Sequence, residues 1–249
     1  MNQSARCLRW AADFLRNTRS KGLRHACRYA RVRLIDRLCE RRLGICTEGT
    51  VSTSELGFTD PACAMYAPIG YEQLRSALSL VTIRQGEDVL LDYGAGKGRV
   101  VIVAGTYPFR KVIGIELSES LLAIARDNLK RASNKLLCRD IQLVHANALH
   151  YRVPDDVTIL FFYNSFAGHV LQSAMEEIHR SLIRMPRRLQ IICCNPSRFD
   201  EQARTRLWIE KTRAGVLFHD MGVAVYECRT DRLSPTESAP KDILLESAV

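Results

Sequence analysis

The sequence predicts an α/β fold in which a largely parallel β-sheet carries helices on both faces. Residues 88–116 contain three short apolar runs, separated by a glycine-rich turn and by a break at Pro108. This order is typical of a strand, a helix and a second strand, which together form one βαβ unit. Apolar runs at 141–145, 157–166 and 189–194 alternate with segments of helical periodicity, as parallel sheets with helical crossovers require.

The first 43 residues form a basic arm. They hold 12 lysines and arginines and three acids, whereas the other 24 basic and 24 acidic residues of the chain cancel. Within 5–42, apolar residues recur at helical spacing and predict one or two amphipathic helices; the stripe includes Leu23, Ala26, Ala30, Leu34 and Leu38. Two interpretations stay open: contact with an anionic surface or a partner, or a solvated helix whose apolar stripe caps the domain or a partner subunit.

Residues 44–84 are predicted to connect this arm to the sheet. Glycine, serine and threonine recur through 44–65, which is typical of a loop, and we expect it to form a lid over the sheet edge. Tyr71 to Val81 has the spacing of a helix that precedes the first strand. The main domain is then expected to span 85–229.

The glycine turn that follows the first strand identifies the kind of ligand. Gly94, Gly96 and Gly98 permit positive φ angles and let a ligand approach the backbone closely. A dinucleotide fingerprint would need glycine or alanine where Arg99 stands. We expect Arg99 either to meet a carboxylate near the turn or to pair on the surface of its helix. A phosphate loop would need glycine at Leu91 and serine or threonine at Gly98, so it is excluded.

Two acids accompany this turn, each at the end of a predicted strand. Asp92 precedes the glycines, and Glu116 follows 24 residues later. Because the carboxyl ends of parallel strands share one edge of the sheet, both carboxylates are expected at the ligand crevice. Carboxylates accept hydrogen bonds from a cationic amino group and from a ribose diol. S-adenosylmethionine (SAM) carries both groups.

The segments Asp92–Gly98 and Val112–Glu116 resemble motifs I and II of the class I SAM-dependent methyltransferases. Bacterial methyltransferase-domain proteins of unassigned substrate are the closer match, over about residues 36–196. The resemblance implies a Rossmann-like, seven-stranded methyltransferase sheet with SAM as its cofactor. It further implies that Asp92 balances the amino end of SAM and that Glu116 binds the ribose. Other residues implied at the cofactor are the three turn glycines, Leu117, Asn147 and Ala148.

The end of the fourth strand faces the transferred methyl group in the resembled fold. There we expect Asn164 to orient the nucleophile and Phe166 to form a wall of the pocket. The alternative is that Asn164 caps the helix beginning near Gly168 while Phe166 is core. Tyr66, before a proline, is expected either to contact cofactor or substrate or to be a packed loop aromatic. Ser165 stands where the resembled proteins often carry proline.

The predicted function is transfer of the sulfonium methyl to a nucleophile, with an amine or a protein lysine favoured, by direct in-line displacement. No metal is required. The alternative is a catalytically weak or inactive SAM-binding module that acts through a partner or surface bound by its basic arm. Ser165 and Asn147, which depart from the resembled pattern, favour the alternative, whereas the intact acid pair favours the enzyme.

Further expectations concern the compartment and the ends of the chain. No apolar run is long enough to span a membrane and no secretion signal occurs, so a cytoplasmic protein is expected, with peripheral membrane contact through the arm left open. The nine cysteines include no C-x-x-C pair and are interpreted as reduced thiols. Ser118 is predicted to cap the helix that follows Glu116. Residues 206–211 and 221–228 predict a terminal antiparallel pair, and 230–249 a disordered tail.

Overall fold

The computed structural model describes residues 22–197, 199–200, 208–214 and 222–228. Seven strands are found there: β1 Val89–Tyr93, β2 Lys111–Glu116, β3 Asp140–His145, β4 Ile159–Tyr163, β5 Gln190–Cys194, β6 Trp208–Ala214 and β7 Val223–Cys228. The α-helices of the same residues are α1 Leu23–Leu43, α2 Tyr71–Leu78, α3 Arg99–Gly105, α4 Glu119–Ala132 and α5 Gly168–Arg184. The predicted tail, 230–249, lies outside the described residues.

The seven strands form one sheet in the order β3-β2-β1-β4-β5-β7-β6. Strands β1 to β5 pair in parallel, whereas β7 runs antiparallel to both β5 and β6. The predicted α/β class, the seven-stranded sheet and the terminal antiparallel pair are therefore confirmed. The strand order reverses direction between β1 and β4, which makes a crevice at their carboxyl ends the expected ligand site of the sheet.

Buried side chains cover both faces of the sheet. Within β1, Leu90 packs into one hydrophobic cluster, while its neighbours Val89 and Leu91 pack into the other. Helices α1 to α3 contribute to the first cluster and α5 contributes to the second. This alternation follows from the two-residue period of a strand, and it confirms helices on both sides.

Helix α1 packs differently from the prediction. It ends at Gly44 in the left-handed conformation, and its inward face carries Ala26, Asp36, Cys39, Glu40 and Leu43, all of them buried. Three leucines of the predicted stripe, at positions 23, 34 and 38, are instead more than half exposed. The interpretation that the stripe caps the domain is wrong for these leucines, because the inward face is partly polar. The arm before residue 22 lies outside the described residues.

The segment from Gly44 to Gly70 contains no helix or strand, and it is attached to the sheet edge. Cys63 forms an isolated antiparallel bridge with Phe166. Around it, Ala64 N donates to Ser165 O at 3.3 Å and Ala167 N donates to Ala62 O at 2.9 Å. Because these bonds join the loop to the β4–α5 connection, the loop covers the carboxyl ends of the strands.

Several local predictions can be compared with the described residues. Ser118 caps α4, accepting a hydrogen bond from Leu121 N at 3.3 Å. Cys193 and Cys194 are free and buried, and burial raises the pKa of both thiols. In the described part of the chain, no helix has the length and apolarity needed to cross a membrane. The same residues contain no cluster of metal-binding side chains.

Candidate active site

A cavity of about 440 Å³ opens at the carboxyl edge of the sheet, where the strand order reverses. Its size is in the range of small-molecule sites. The loop before α2 and the ends of β1, β2, β4 and β5 contribute to its wall. Nine of the eleven predicted site residues lie on that wall: Tyr66, Asp92, Gly94, Glu116, Leu117, Asn147, Ala148, Asn164 and Phe166.

Asp92 is the most buried charged group on the wall, with 2% of its surface exposed. Its Oδ2 has no hydrogen-bond partner among the described residues. Burial raises the pKa of this carboxyl well above its usual value, and the nearby Glu116 carboxylate raises it further. A buried carboxylate oxygen without a partner is costly, so this atom is a position where a ligand cation would be stabilised.

Glu116 ends β2, the strand that pairs with β1. Its Oε2 accepts from Gly96 N at 2.8 Å, and its Oε1 accepts from Ser118 N at 2.9 Å. Burial raises the pKa of Glu116, and these backbone bonds oppose that shift. A carboxylate has about four acceptor positions, so about two remain for a diol on the cavity side.

The three glycines of the turn have different roles in the structure. Gly94 lies on the cavity wall, and a Cβ there would come within 2.6 Å of Ser165 Oγ. Gly96 and Gly98 do not line the cavity, because the Tyr66 ring covers the first and Ala125 the second. Of the three turn glycines expected at the cofactor, Gly94 lies on the cavity wall, whereas Gly96 and Gly98 serve the close packing of the turn.

Replacing Gly96 by alanine should destabilise the turn sharply. The residue has φ +54°, and its new Cβ would lie within 2.6 Å of Tyr66 Cδ2. We expect a loss of about 2–4 kcal/mol in the free energy of unfolding, measured by urea titration. Gly86→Ala is the control, since its φ is +70° with no atom near the added Cβ. Equal losses for both variants would show that contact with Tyr66 does not matter.

Tyr66 is a packed loop aromatic that also lies on the cavity wall. Its hydroxyl donates to Thr47 O at 2.6 Å, and Lys97 Nζ lies 4.8 Å from the ring centroid. The ring is thereby fixed over Gly96 while it also lines the cavity. Phe166 is similar: it lines the cavity and makes edge contacts with Tyr93 and Phe162.

The ends of β4 and β5 meet through two asparagines in the left-handed conformation. Asn164 has φ +49° and Asn195 has φ +65°, the two non-glycine residues with positive φ in the described chain. Asn195 Nδ2 donates to Asn164 Oδ1 at 2.8 Å. Such backbone strain is concentrated at functional sites. The alternative that Asn164 caps α5 is wrong, because the cap residue is Ala167 and no side chain caps the helix.

Asn147 has fewer hydrogen-bond acceptor positions available to a ligand than the sequence led us to expect. Its Oδ1 already accepts from Leu149 N at 3.0 Å, so this oxygen has one acceptor position left. Beside it, His145 Nε2 is 2.8 Å from Leu117 O, which fixes the β2–α4 connection against the end of β3. Both Asn147 and Leu117 nevertheless remain on the cavity wall.

Arg99 was expected on the surface of its helix, or facing a carboxylate near the turn, and the structure shows it buried with 3% exposed. Its Nη1 lies 3.3 Å from Asp36 Oδ2 and its Nη2 lies 3.1 Å from Glu40 Oε1. Nε donates to Thr47 Oγ1 at 2.6 Å, and Nη1 donates to Ile69 O at 2.7 Å. Surface pairing is therefore wrong: Arg99 joins the glycine turn to α1 and to the loop.

Other wall residues could not be found from the sequence. Leu56, Phe58, Asp60 and Cys63 come from the irregular loop, where no periodicity marks the inward side. For Arg99 a signal existed. Asp36 and Glu40 are two of the three acids of an arm rich in arginine, and their four-residue spacing puts them on one helix face.

Comparison with known proteins found a matching family model and similar solved structures. Residues 90–184 match the family model of the methyltransferase domain. No curated protein matches the chain. The RNA methyltransferase from Salinibacter ruber, solved with S-adenosyl-L-homocysteine, is similar at 18% identity, covering 71% of this chain and 98% of its own, with a TM-score of 0.47.

Two further solved structures have similar values. The precorrin-6y C5,15-methyltransferase from Geobacter metallireducens has 19% identity, with 64% of this chain and 88% of its own covered and a TM-score of 0.47. The Streptococcus pneumoniae protein Sp1610, a putative tRNA (m1A22) methyltransferase, has 18% identity, 65% and 71% coverage, and a TM-score of 0.48.

The seven-stranded sheet has an acid-lined crevice at its carboxyl edge, where open α/β sheets bind their ligands. Residues 90–184 match the methyltransferase domain, and this match supports a SAM-dependent methyltransferase with SAM as its cofactor. The residues present fit SAM. Among the residues that the structure describes, Asp92 Oδ2 lacks a hydrogen-bond partner and Glu116 keeps acceptor positions, and Gly94 brings bare backbone to the cavity.

Proposed function

We propose that the protein transfers the methyl group of SAM to an amine, either a lysine side chain of a protein or a small molecule. In this proposal Asp92 holds the amino end of SAM, and Glu116 with Leu117 holds its ribose. Asn147 and Ala148 lie at its adenine, while Asn164, Phe166 and Tyr66 form the acceptor side. Residues from the loop before α2 and from the sheet edge would thus form one active site.

The proposal that the acceptor is an amine rests on the negative charge of the side chains that line the cavity. Its ionisable carboxyls are Asp60, Asp92 and Glu116, and its one cation, among the described residues, is Arg99. That cation is already engaged by the carboxylates of α1. In this proposal SAM occupies Asp92 and Glu116. A phosphate or carboxylate acceptor would then find no uncommitted cation on the wall, whereas an amine would find the carboxylate of Asp60 and the side-chain oxygen of Asn164.

Methyl transfer from SAM requires the protein mainly to position the acceptor against the methyl group. SAM supplies a methyl group activated by a positive sulfur, which leaves as a neutral thioether. The side chains of this protein therefore bind and align the acceptor, and alignment of this kind is a large part of catalysis. Phe166 and Tyr66 exclude water from one side, and the Asn164 amide and the carbonyls beside it accept hydrogen bonds from the attacking nitrogen.

Asn195 supports this arrangement. Because its amide donates to Asn164 Oδ1, the Asn164 side chain has one defined orientation. Ser165 Oγ donates to Tyr93 O and joins the β4–α5 connection to the end of β1. The serine that replaces a proline in the resembled pattern thus contributes a tie between the two strands at the crevice.

The acceptor class can be tested with SAM labelled in its methyl group. The purified protein is offered lysine-rich proteins, small amines and RNA in parallel, and label is expected in the amine or lysine samples. Asn164→Ala should reduce transfer by about 10²-fold or more while SAM binding by calorimetry changes little. Label confined to RNA, or in a carboxylate ester, would refute an amine acceptor.

Glu116→Ala should weaken SAM binding by about 1–3 kcal/mol, since two charge-assisted bonds to the ribose would be lost. Isothermal calorimetry measures this directly. Glu119→Ala, three residues away on the exposed start of α4, is the matched control and should bind SAM like the natural protein. An unchanged affinity for Glu116→Ala would remove Glu116 from the site.

A catalytically weak SAM-binding module remains the second candidate. It is favoured by Asn147, whose acceptor oxygen is partly used within its own turn, and by Ser165, which is packed against Gly94. Tight SAM binding together with no label in any acceptor sample would favour this candidate. Transfer to any acceptor that is lost in Asn164→Ala would exclude it.

A further inference from the structure

The outward face of α1 carries an apolar seam. Leu23, Leu34 and Leu38 are 61%, 58% and 53% exposed, and between them lie the exposed Cys27 and the half-buried Ala30. These five residues follow one another at intervals of four, three, four and four residues, which puts them along a single side of the helix. Isolated exposed leucines are ordinary, but an aligned row on one helix indicates a contact surface.

Arginines flank this seam and no α1 carboxylate reaches it. The helix contains seven arginines and two acids, and both acids, Asp36 and Glu40, point inward to Arg99. Arg31 is 63% exposed although it pairs with Glu72, and Arg24, Arg41 and Arg42 are also exposed. The outward side of α1 is therefore both apolar and positively charged.

We propose that this face, the α1 seam, docks the protein on an anionic lipid surface. Exposed leucines would enter the boundary between headgroups and acyl chains, and the arginines around them would contact phosphates. Amphipathic basic helices bind membranes in this way, with affinity that depends on both the apolar area and the charge. The inference stands apart from the choice of methyl acceptor.

Charge argues against the other occupants of the seam. Residues 1–21 contain five basic residues and one acid, so their packing over the arginines of α1 would bring like charges together. A second copy of α1 would do the same. A nucleic acid would neutralise the arginines but would leave the leucines in water, whereas a lipid surface satisfies both.

The inward face of α1 connects the proposed docking surface to the glycine turn of the cofactor site. Asp36 and Glu40 hold Arg99, the first residue of α3, which follows the glycine turn directly. The same helix therefore presents its seam outward and positions the cofactor turn inward. Since α1 is anchored by these buried bonds, it can present the seam as a preformed helix.

The test is sedimentation of the full-length protein with phosphatidylcholine vesicles, with and without phosphatidylglycerol. We expect binding only to the anionic vesicles, with a steep loss as salt increases. Leu34→Ser with Leu38→Ser should reduce binding about tenfold or more. Met185→Ser, an equally exposed apolar residue after α5, is the matched control and should bind as the natural protein does.

Several results would overturn the proposal. One is equal vesicle binding by the leucine variant and the natural protein, and another is equal binding to neutral and anionic vesicles. A dimer in sedimentation velocity that the leucine variant loses would also overturn it, as would binding to an oligonucleotide but to neither kind of vesicle. Unchanged SAM binding and thermal unfolding in the leucine variant confirm that it is folded, so a lost interaction reports on the seam itself.

Discussion

Replacing Arg99 by methionine is expected to lower the free energy of unfolding by about 3–5 kcal/mol. The guanidinium is the cation between Asp36 and Glu40, and all three side chains are at least nine-tenths buried. Removing it leaves two carboxylates in a dry environment with their main partner gone. The loss should appear in urea unfolding and should weaken SAM binding too, because the glycine turn loses its attachment to α1.

Two further variants make this expectation specific. Arg126→Met removes an exposed arginine that pairs with Glu119, and we expect a loss below about 1 kcal/mol. Combining Arg99→Met with Asp36→Asn and Glu40→Gln should restore part of the stability, since the buried negative charges are then gone. If Arg99→Met costs no more than Arg126→Met, the buried triad does not hold α1 to the domain.

Asp92→Asn is expected to act in opposite directions on stability and on ligand binding. Burial raises the pKa of Asp92, so the folded protein without ligand holds its proton more tightly than the unfolded chain does. Stability is then lost as the pH rises from the ordinary carboxyl range through the raised pKa. The asparagine variant removes this ionisation and should show a shallower pH dependence and unchanged or higher stability at neutral pH.

The same variant should bind SAM more weakly by about 1.5–3 kcal/mol, because a charge-assisted bond to the cationic end is lost. Urea titrations at several pH values and calorimetry with SAM measure the two effects separately. Asp140→Asn, at the exposed start of β3, is the control and should alter neither. A variant that binds SAM normally would show that Asp92 does not face the ligand.

The sheet could be predicted from the sequence because the patterns that indicate its strands and helices each lie within a short segment. Apolar runs, the glycine turn and the helical spacing define β1 to β5 within a few residues, and acids at strand ends follow from the geometry of parallel strands. For the same reason the capping serine before α4 could be located. Topology then brought Asp92, Glu116 and Asn164 to one cavity without any long-range information.

The remaining features depend on contacts between distant parts of the chain. Arg99 lies 59 and 63 positions from its two carboxylates, and the periodicity of α1 indicated the leucine side as the packed one. That inference failed because a buried ion triad replaced apolar packing on the inward face. Asn195 was also missed, since an asparagine before a proline is typical of any turn. Its positive φ and its bond to Asn164 appear only in the fold.

A crystal structure with bound S-adenosylhomocysteine tests the central claim most directly. We expect both ribose hydroxyls within hydrogen-bond distance of the Glu116 carboxylate and the amino group next to Asp92 Oδ2, with the sulfur facing Asn164. A nucleoside bound elsewhere, or one whose ribose and amino group touch neither carboxylate, would contradict the assignment of this edge as the methyl-transfer site.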